Sequence, residues 1–198
     1  MPAFGSYSVS AMATNASILL ELTRRYLEPS RGYHSLAHVS DLLMRGRDLR
    51  LSDEQVMAIW FHDAVYDSKS KTNEEDSAKL AKDLLGAAGW EGPRVARVER
   101  MVLDTKSHVP SSPESALVLD LDLSPLAVEW GAFVANTEAI FFEYSWVPKE
   151  EFLAGRRAFF ASMLQRPKIY HTTWGQGLEA RARANLQRSI AGKHGVAG

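Results

Sequence analysis

Apolar positions recur at spacings of three and four along most of this chain, the period of a helix. Ile18, Leu19, Leu22, Tyr26 and Leu27 mark one face of a helix that begins near Asn15 and is ended by Pro29. Leu36, Val39, Leu42, Leu43 and Leu49 mark a second segment, beginning near Ser35. Ser52-Asp53-Glu54 is a start signal with acids in the first turn, and the pattern then runs through Val56, Ile59, Trp60, Ala64 and Val65. Asp67–Lys71 reads as a polar loop. Thr72 or Asn73 is placed to cap a fourth helix, with Glu75 or Asp76 as its capping-box partner. That helix carries Ala78, Leu80, Ala81, Leu84 and Leu85 and stops around Gly86–Gly89. Pro93 suits the first turn of a fifth, which continues through Val95, Val98, Met101, Val102 and Leu103.

His108–Ser115, with Pro110 and Pro113, predicts a loop. Leu117–Leu126 is apolar but interrupted by Asp120 and Asp122. Long helical patterns follow over roughly 128–145, 149–165 and 176–191. No segment shows strict alternation bounded by turn signals, so no strand is expected. The pattern predicts an all-α, single-domain helical bundle of about eight or nine helices over 15–191. A disordered segment is expected over 1–14 and a flexible tail over 192–198.

Composition narrows the chemistry. The net charge is −1, so no global field draws the chain to nucleic acid or to an anionic membrane. Basic residues are interleaved with acids, and no nucleic-acid duplex is expected as a partner. The beginning of the chain has no basic stretch followed by a long apolar run, and nowhere are there 18 consecutive apolar residues. A cytoplasmic location and no membrane partner are the expectation. There is no cysteine, which removes disulfides, thiolate metal sites and cysteine nucleophiles. Any metal must be held through nitrogen and oxygen, by the six His and the Asp/Glu set.

Three short segments carry candidate chemistry. His34 and His38 share a face if both lie on one helix, and two imidazoles at that spacing can converge on one metal; the bland alternative is a part-exposed helix start. His62-Asp63 lies inside the otherwise apolar run Trp60-Phe61-His62-Asp63-Ala64-Val65-Tyr66. Burying such groups without a partner costs several kcal/mol, so a metal or a buried ion pair must satisfy them. Asp120 and Asp122 again set carboxylates in an apolar context, with a helix cap as the bland alternative.

Their order is more informative than the parts. A His, a His-Asp pair and a distant Asp resemble the HD superfamily of metal-dependent phosphohydrolases. The likeness extends to Tyr33-His34-Ser35-Leu36-Ala37-His38, to the 60–67 segment, to Asn73-Glu74 with Ser77-Ala78, to Thr105 with His108, and to Asp120-Leu121-Asp122-Leu123. Later segments around Ile169-Tyr170 and Ala182-Arg183 with Asn185 add to it, over about residues 20–190. The resemblance implies an HD-type helical bundle holding a divalent metal, with Mn, Fe, Co, Ni, Zn and Mg all compatible. Carried over by position, the ligands are His38, His62, Asp63 and Asp122. His34 remains an alternative to His38, and Asp120 an alternative to, or a support for, Asp122.

The expected reaction is hydrolysis of a small-molecule phosphate ester, with a nucleotide among the candidates, by a metal-activated water. Glu74 or Asp67 would assist proton transfer beside Asp63, and His108 with Lys106 would hold the phosphate. Glu74 read blandly is a helix cap, and Asp67 simply a loop residue. Arg156, Arg157, Arg181 and Arg183 each offer a phosphate ligand, or else a solvated face. The alternatives are an HD-type nucleotide-binding or sensing module without turnover, a di-iron oxygenase on the same frame, and a purely structural helical protein. A homodimer is compatible with the sequence.

Overall fold

The computed structural model describes residues 9–192, and side chains from residue 15 onward. Part of the expected 1–14 segment and nearly all of the 192–198 tail lie outside the described residues. The described residues form helices and connecting turns and no strand. In chain order the helices are α1 (Val9–Tyr26), α2 (Leu36–Gly46), α3 (Asp53–Phe61), α4 (Asn73–Ala87), α5 (Gly92–Asp104) and α6 (Pro113–Leu123), then a 3-10 turn over Ser124–Ala127. They continue with α7 (Trp130–Glu143), α8 (Lys149–Gln165), the one-turn α9 (Thr173–Gln176) and α10 (Glu179–Ile190). None is long and apolar enough to cross a membrane. The all-α expectation holds at this level.

Local chemistry explains most boundaries. Ser52 caps α3 with a full capping box, its hydroxyl accepting from the Gln55 amide while Gln55 accepts from the Ser52 amide. Ser112 caps α6 by accepting from the Ser115 amide, and Pro113 occupies the first turn. The loop expected through Ser115 therefore ends at Ser112. α1 starts at Val9, six residues before the expected Asn15. At α4 the expected capping box does not form: Thr72 makes no side-chain cap and instead donates its hydroxyl to Asp76. α9 was not anticipated, because a single turn is too short for a periodic signal.

The largest correction concerns residues 62–65. The helical pattern was expected to run through them, yet α3 stops at Phe61 and they form a turn. The carbonyls there are claimed by side chains instead of continuing the helix. Tyr26 Oη donates to Trp60 O at 3.0 Å, His62 Nδ1 to Ile59 O at 2.8 Å, and Arg31 to Asp63 O at 2.6 Å and Ala64 O at 3.0 Å. These bonds satisfy a helix end that would otherwise leave buried acceptors unpaired.

Two large apolar clusters share the weight, with a third, smaller one of Ile140, Phe152 and Leu153 on α7 and α8. The first gathers α1–α6, with Leu22, Leu42, Ile59, Phe61, Leu85 and Met101 enclosed. The second gathers the end of α6, the 3-10 turn, α7, α8 and α10 around Phe160, Met163, Tyr170 and Leu186. α6 joins the two: Val118 and Leu121 belong to the first and Leu123 to the second. Val118, Leu119, Asp120 and Leu121 are consecutive and all buried, so this helix is wrapped on every side.

Asp120 has a structural task in that central helix. Its carboxylate accepts from the His171 amide at 2.8 Å, the Thr172 amide at 2.7 Å and the Thr172 hydroxyl at 2.6 Å. Gly175 lies against it so closely that an added Cβ would come within 2.7 Å of Asp120 Cγ and 2.8 Å of Tyr170 Cβ. Gly175→Ala is therefore expected to destabilise the fold by about 1–3 kcal/mol, the cost of overpacking a rigid contact. Urea unfolding of the two proteins checks this.

Acid stability has an identifiable contributor. Glu54 receives Arg94 at 3.0 Å and Arg97 at 2.7 Å, joining α3 to α5. Hydrogen bonding from Arg94, opposed by partial burial and aided by Arg97, lowers its pKa from 4.5 to about 2. A depressed carboxylate stabilises the folded state fully above 4.5, and the contribution fades as pH falls towards 2. Glu54→Gln should lose about 1 kcal/mol at pH 7 and show a smaller further loss between pH 5 and 2 than the wild type. Denaturation across that pH range measures the difference.

Candidate metal centre

The site is assembled from three separate parts of the chain. α2 supplies His38, the turn after α3 supplies His62 and Asp63, and α6 supplies Asp122. His38 and His62 are nearly inaccessible. His38 Nε2 and His62 Nε2 are 3.3 Å apart. Asp122 Oδ1 stands 3.4 Å from the first and 3.5 Å from the second. Ligand atoms of His38, His62 and Asp122 all lie within 4.8 Å of one another, so these three residues could hold a metal ion. Asp63 adjoins the cluster through Oδ2, 2.9 Å from His62 Nε2.

The donors suit a cation. Ile59 O can only accept, so His62 Nδ1 carries a proton, and its Nε2 faces the cluster. There it meets another imidazole and two carboxylates. Two imidazole lone pairs and two anions converging in the interior demand positive charge among them, either a proton or a metal ion. Without a metal, burial opposes a charge on His62, but Asp63 and Asp122 outweigh it and raise its pKa well above the usual value. Reciprocally, burial resists ionisation of Asp122 and Asp63, and the His62 charge overcomes that resistance, holding both carboxyls low. The nitrogen and oxygen donor set is one suited to a borderline or hard divalent ion.

His34 goes elsewhere. Its Nδ1 is 2.6 Å from Glu143 Oε2, and its ring stacks on Tyr66 with centroids 4.2 Å apart. Glu143, with its side chain fully covered, also accepts from the Tyr33 amide at 2.7 Å, the His34 amide at 2.8 Å and the Tyr66 hydroxyl at 3.0 Å. Burial works against ionisation of Glu143, and His34 together with the two amides reverses that and lowers its pKa. Asp120 also stays out of the cluster. It lies two residues from Asp122, roughly 200° around the helix, and its oxygens are spent on residues 171 and 172.

A cavity of about 710 Å³ opens over the cluster, lined by His34, His62, Asp63 and Asp122 among others. Glu74, Lys106 and His108 also line it. His108 Nε2 donates to Asp122 Oδ2 at 3.1 Å, so it steadies the carboxylate. Its backbone has φ 51°, costly for a residue with a Cβ, and Arg166 clamps it by donating to Ser107 O and His108 O. Lys106 is tied to Lys71 O and Glu75. Glu74 lies 3.9 Å from Lys106 Nζ. Asp67 does not reach the cavity: its carboxylate accepts from the Lys69 amide, and its backbone pairs with the Asn73 side chain.

Sequence reasoning missed Glu143 and Arg31. Glu143 falls on the buried stripe of α7 that carries Phe133, Thr137 and Ile140, so a charge on an apolar face was the available signal. Arg31, with 1% of its side chain exposed, bonds His34 O, Asp63 O and Ala64 O, and so ties the segment before α2 to the turn that holds His62. Nothing in its polar surroundings, Pro29-Ser30-Arg31-Gly32, marks it out. In comparison with known proteins, no family model, no curated protein and no solved structure matches this chain.

Arg31→Met removes three backbone bonds while keeping an apolar stem. It should cost about 2–4 kcal/mol in stability, since buried carbonyls are left unpaired. It should also weaken metal binding at His62 more than Arg94→Met, a change remote from the cluster, does. Calorimetric titration with a divalent metal, beside thermal unfolding, compares the two variants.

Proposed function

We propose that this protein is a metal-dependent phosphohydrolase of the HD type, acting on a small-molecule phosphate ester. The observation that carries the reading is the convergence of His38, His62 and Asp122 beneath a cavity with basic groups in its wall. The order of these residues along the chain, with Asp63 beside His62, adds the motif resemblance described above.

A divalent ion bound at the cluster would supply polarisation of a phosphoryl oxygen and acidification of water. His38, His62 and Asp122 would hold it, with Asp63 beside them. Ile59 O fixes the tautomer of His62, and His108 orients Asp122. Glu74, in the cavity wall and part-exposed, is the group placed to accept a proton. His34 is held at Nδ1 by Glu143, which leaves Nε2 as its second hydrogen-bonding atom; the residue lines the cavity beside Asp63. Lys106 supports Glu74 and contributes positive charge to the same wall.

Elemental analysis of protein purified without a nickel column should find about one divalent metal per chain in the wild type. It should find little in His62→Ala or Asp122→Asn. A panel of phosphate monoesters and nucleotides, assayed with the metal found, should show turnover that falls at least about 100-fold in either variant. Wild-type protein that takes up no metal after reconstitution with Mn, Fe or Zn would refute the reading. Metal uptake without any ester cleavage would leave a binding module.

A further inference from the structure

Arg156 is exceptional among the arginines that face the interior. It lies on α8 and lines the cavity beside Gly155. Its Nε is buried with no hydrogen-bond partner, and it takes part in no ion pair among the described residues. Arg31 and Arg183, by contrast, are saturated by carbonyls and carboxylates. What Arg156 does touch is aromatic: its Cζ is 4.6 Å from the Phe160 ring centroid and 5.5 Å from that of Phe159. Burial lowers its pKa from the ordinary value, but a guanidinium still keeps its proton near neutrality. A half-buried cation whose Nε is shut away from water, with no ion pair among the described residues, is a costly way to pack a helix when an apolar side chain of like size would serve.

The neighbours supply the rest. Tyr33, Tyr66 and Tyr144 line the same cavity as Arg156. Tyr66 is committed to Glu143. The Tyr33 and Tyr144 hydroxyls make no hydrogen bond to the described residues. A forked cation and two phenolic donors thus face one cavity without an acceptor of their own. Such a set suits an oxyanion, and a guanidinium fork matches the tetrahedral phosphoryl group.

Placement relates this group to the metal centre. The Phe159 ring is 6.5 Å from that of His108, which is bonded to Asp122. The Tyr33 ring is 4.8 Å from that of His38. Arg156 is therefore linked to Asp122 through the Phe159 and His108 rings, and shares its cavity with Tyr33, which packs on His38. The same cavity also carries apolar lining, with Leu126, Ile140, Val147 and Phe152.

We propose that Arg156, with the Tyr33 and Tyr144 hydroxyls, receives the phosphoryl oxygens of the substrate, and that the substrate is a phosphomonoester whose organic part lies on the apolar wall. A terminal phosphoryl group has three non-bridging oxygens, enough to face the cluster and Arg156 together; a diester has two. The identity of the ester rests on the hydrolase reading of the cluster, whereas the anion site itself does not.

The test uses the full chain stripped of metal with EDTA and titrated with inorganic phosphate, followed by calorimetry and thermal unfolding. Saturable binding is expected in the wild type. Arg156→Met should weaken it about 10–100-fold, the loss of charged hydrogen bonds, while the melting temperature without phosphate is unchanged or raised. Arg156→Lys should retain part of the affinity. Should Arg156→Met fail to fold, the Tyr33→Phe/Tyr144→Phe double variant is expected to weaken binding in a folded protein. Wild type that does not bind phosphate, or variants that bind it as tightly as wild type, would overturn the proposal. So would an equal response to acetate at matched ionic strength. Phosphate binding that depends on Arg156, in a chain that takes no metal and cleaves no ester, would keep the anion site and remove the hydrolase.

Discussion

Two imidazoles and two carboxylates meet in the interior with too little positive charge between them, and much of the surrounding architecture serves to hold them there. Left free, such groups would turn towards water, because desolvating a carboxylate costs several kcal/mol. They are prevented by bonds made with other atoms of the same residues or their neighbours. Ile59 O restrains one side of His62, Arg31 holds the backbone of Asp63, and His108 occupies the second oxygen of Asp122. Each restraint leaves the cluster-facing atom uncommitted to any donor that would neutralise it. In the absence of a metal, Asp63 and Asp122 favour a proton on His62 against the cost of its burial.

The central position of α6 makes that arrangement compatible with a stable core. Its two aspartates point in nearly opposite directions and meet opposite demands. Asp120 is saturated by amides and a hydroxyl, so its burial is offset by hydrogen bonds within the protein. Asp122, two residues on, gets histidines and no backbone donor. One helix therefore anchors the chain around residues 171–175 with one face and forms the cluster with another. Its apolar residues fill both of the larger hydrophobic clusters at the same time.

Much of this could be read in the chain itself. Periodicity places most helices within a few residues, because amphipathic faces and capping residues such as Ser52 and Ser112 act locally. His62, Asp63 and Asp122 were legible as polar groups in apolar settings, and His38 as one of two histidines four positions apart. What escaped was decided over long distances. The end of α3 at Phe61 depends on Tyr26 and Arg31, which no local pattern connects to it. The separate destinations of His34 and His38 depend on Glu143, more than a hundred positions away. Asp122 was preferred to Asp120 by motif position alone; only the helix, which places them on opposite sides, separates their roles physically. Arg156 was one of four late arginines of equal standing; only its enclosure without a partner sets it apart.

Glu143 accepts from the amides of Tyr33 and His34 across 110 and 109 residues of chain. On a ribosome adding about 5–20 residues per second, His34 waits on the order of 5–20 seconds before that carboxylate has even been made. The donors of the metal cluster come from the segment ending at Asp122, so they can gather while the cavity still lacks α7 and α8. During that interval the future apolar wall, Ile140, Phe152 and Phe159 included, has yet to arrive, and the surface it will cover stands open to water. Order of synthesis thus makes the half of the pocket that carries the histidines and aspartates the older part of each molecule, and its apolar wall the last to close.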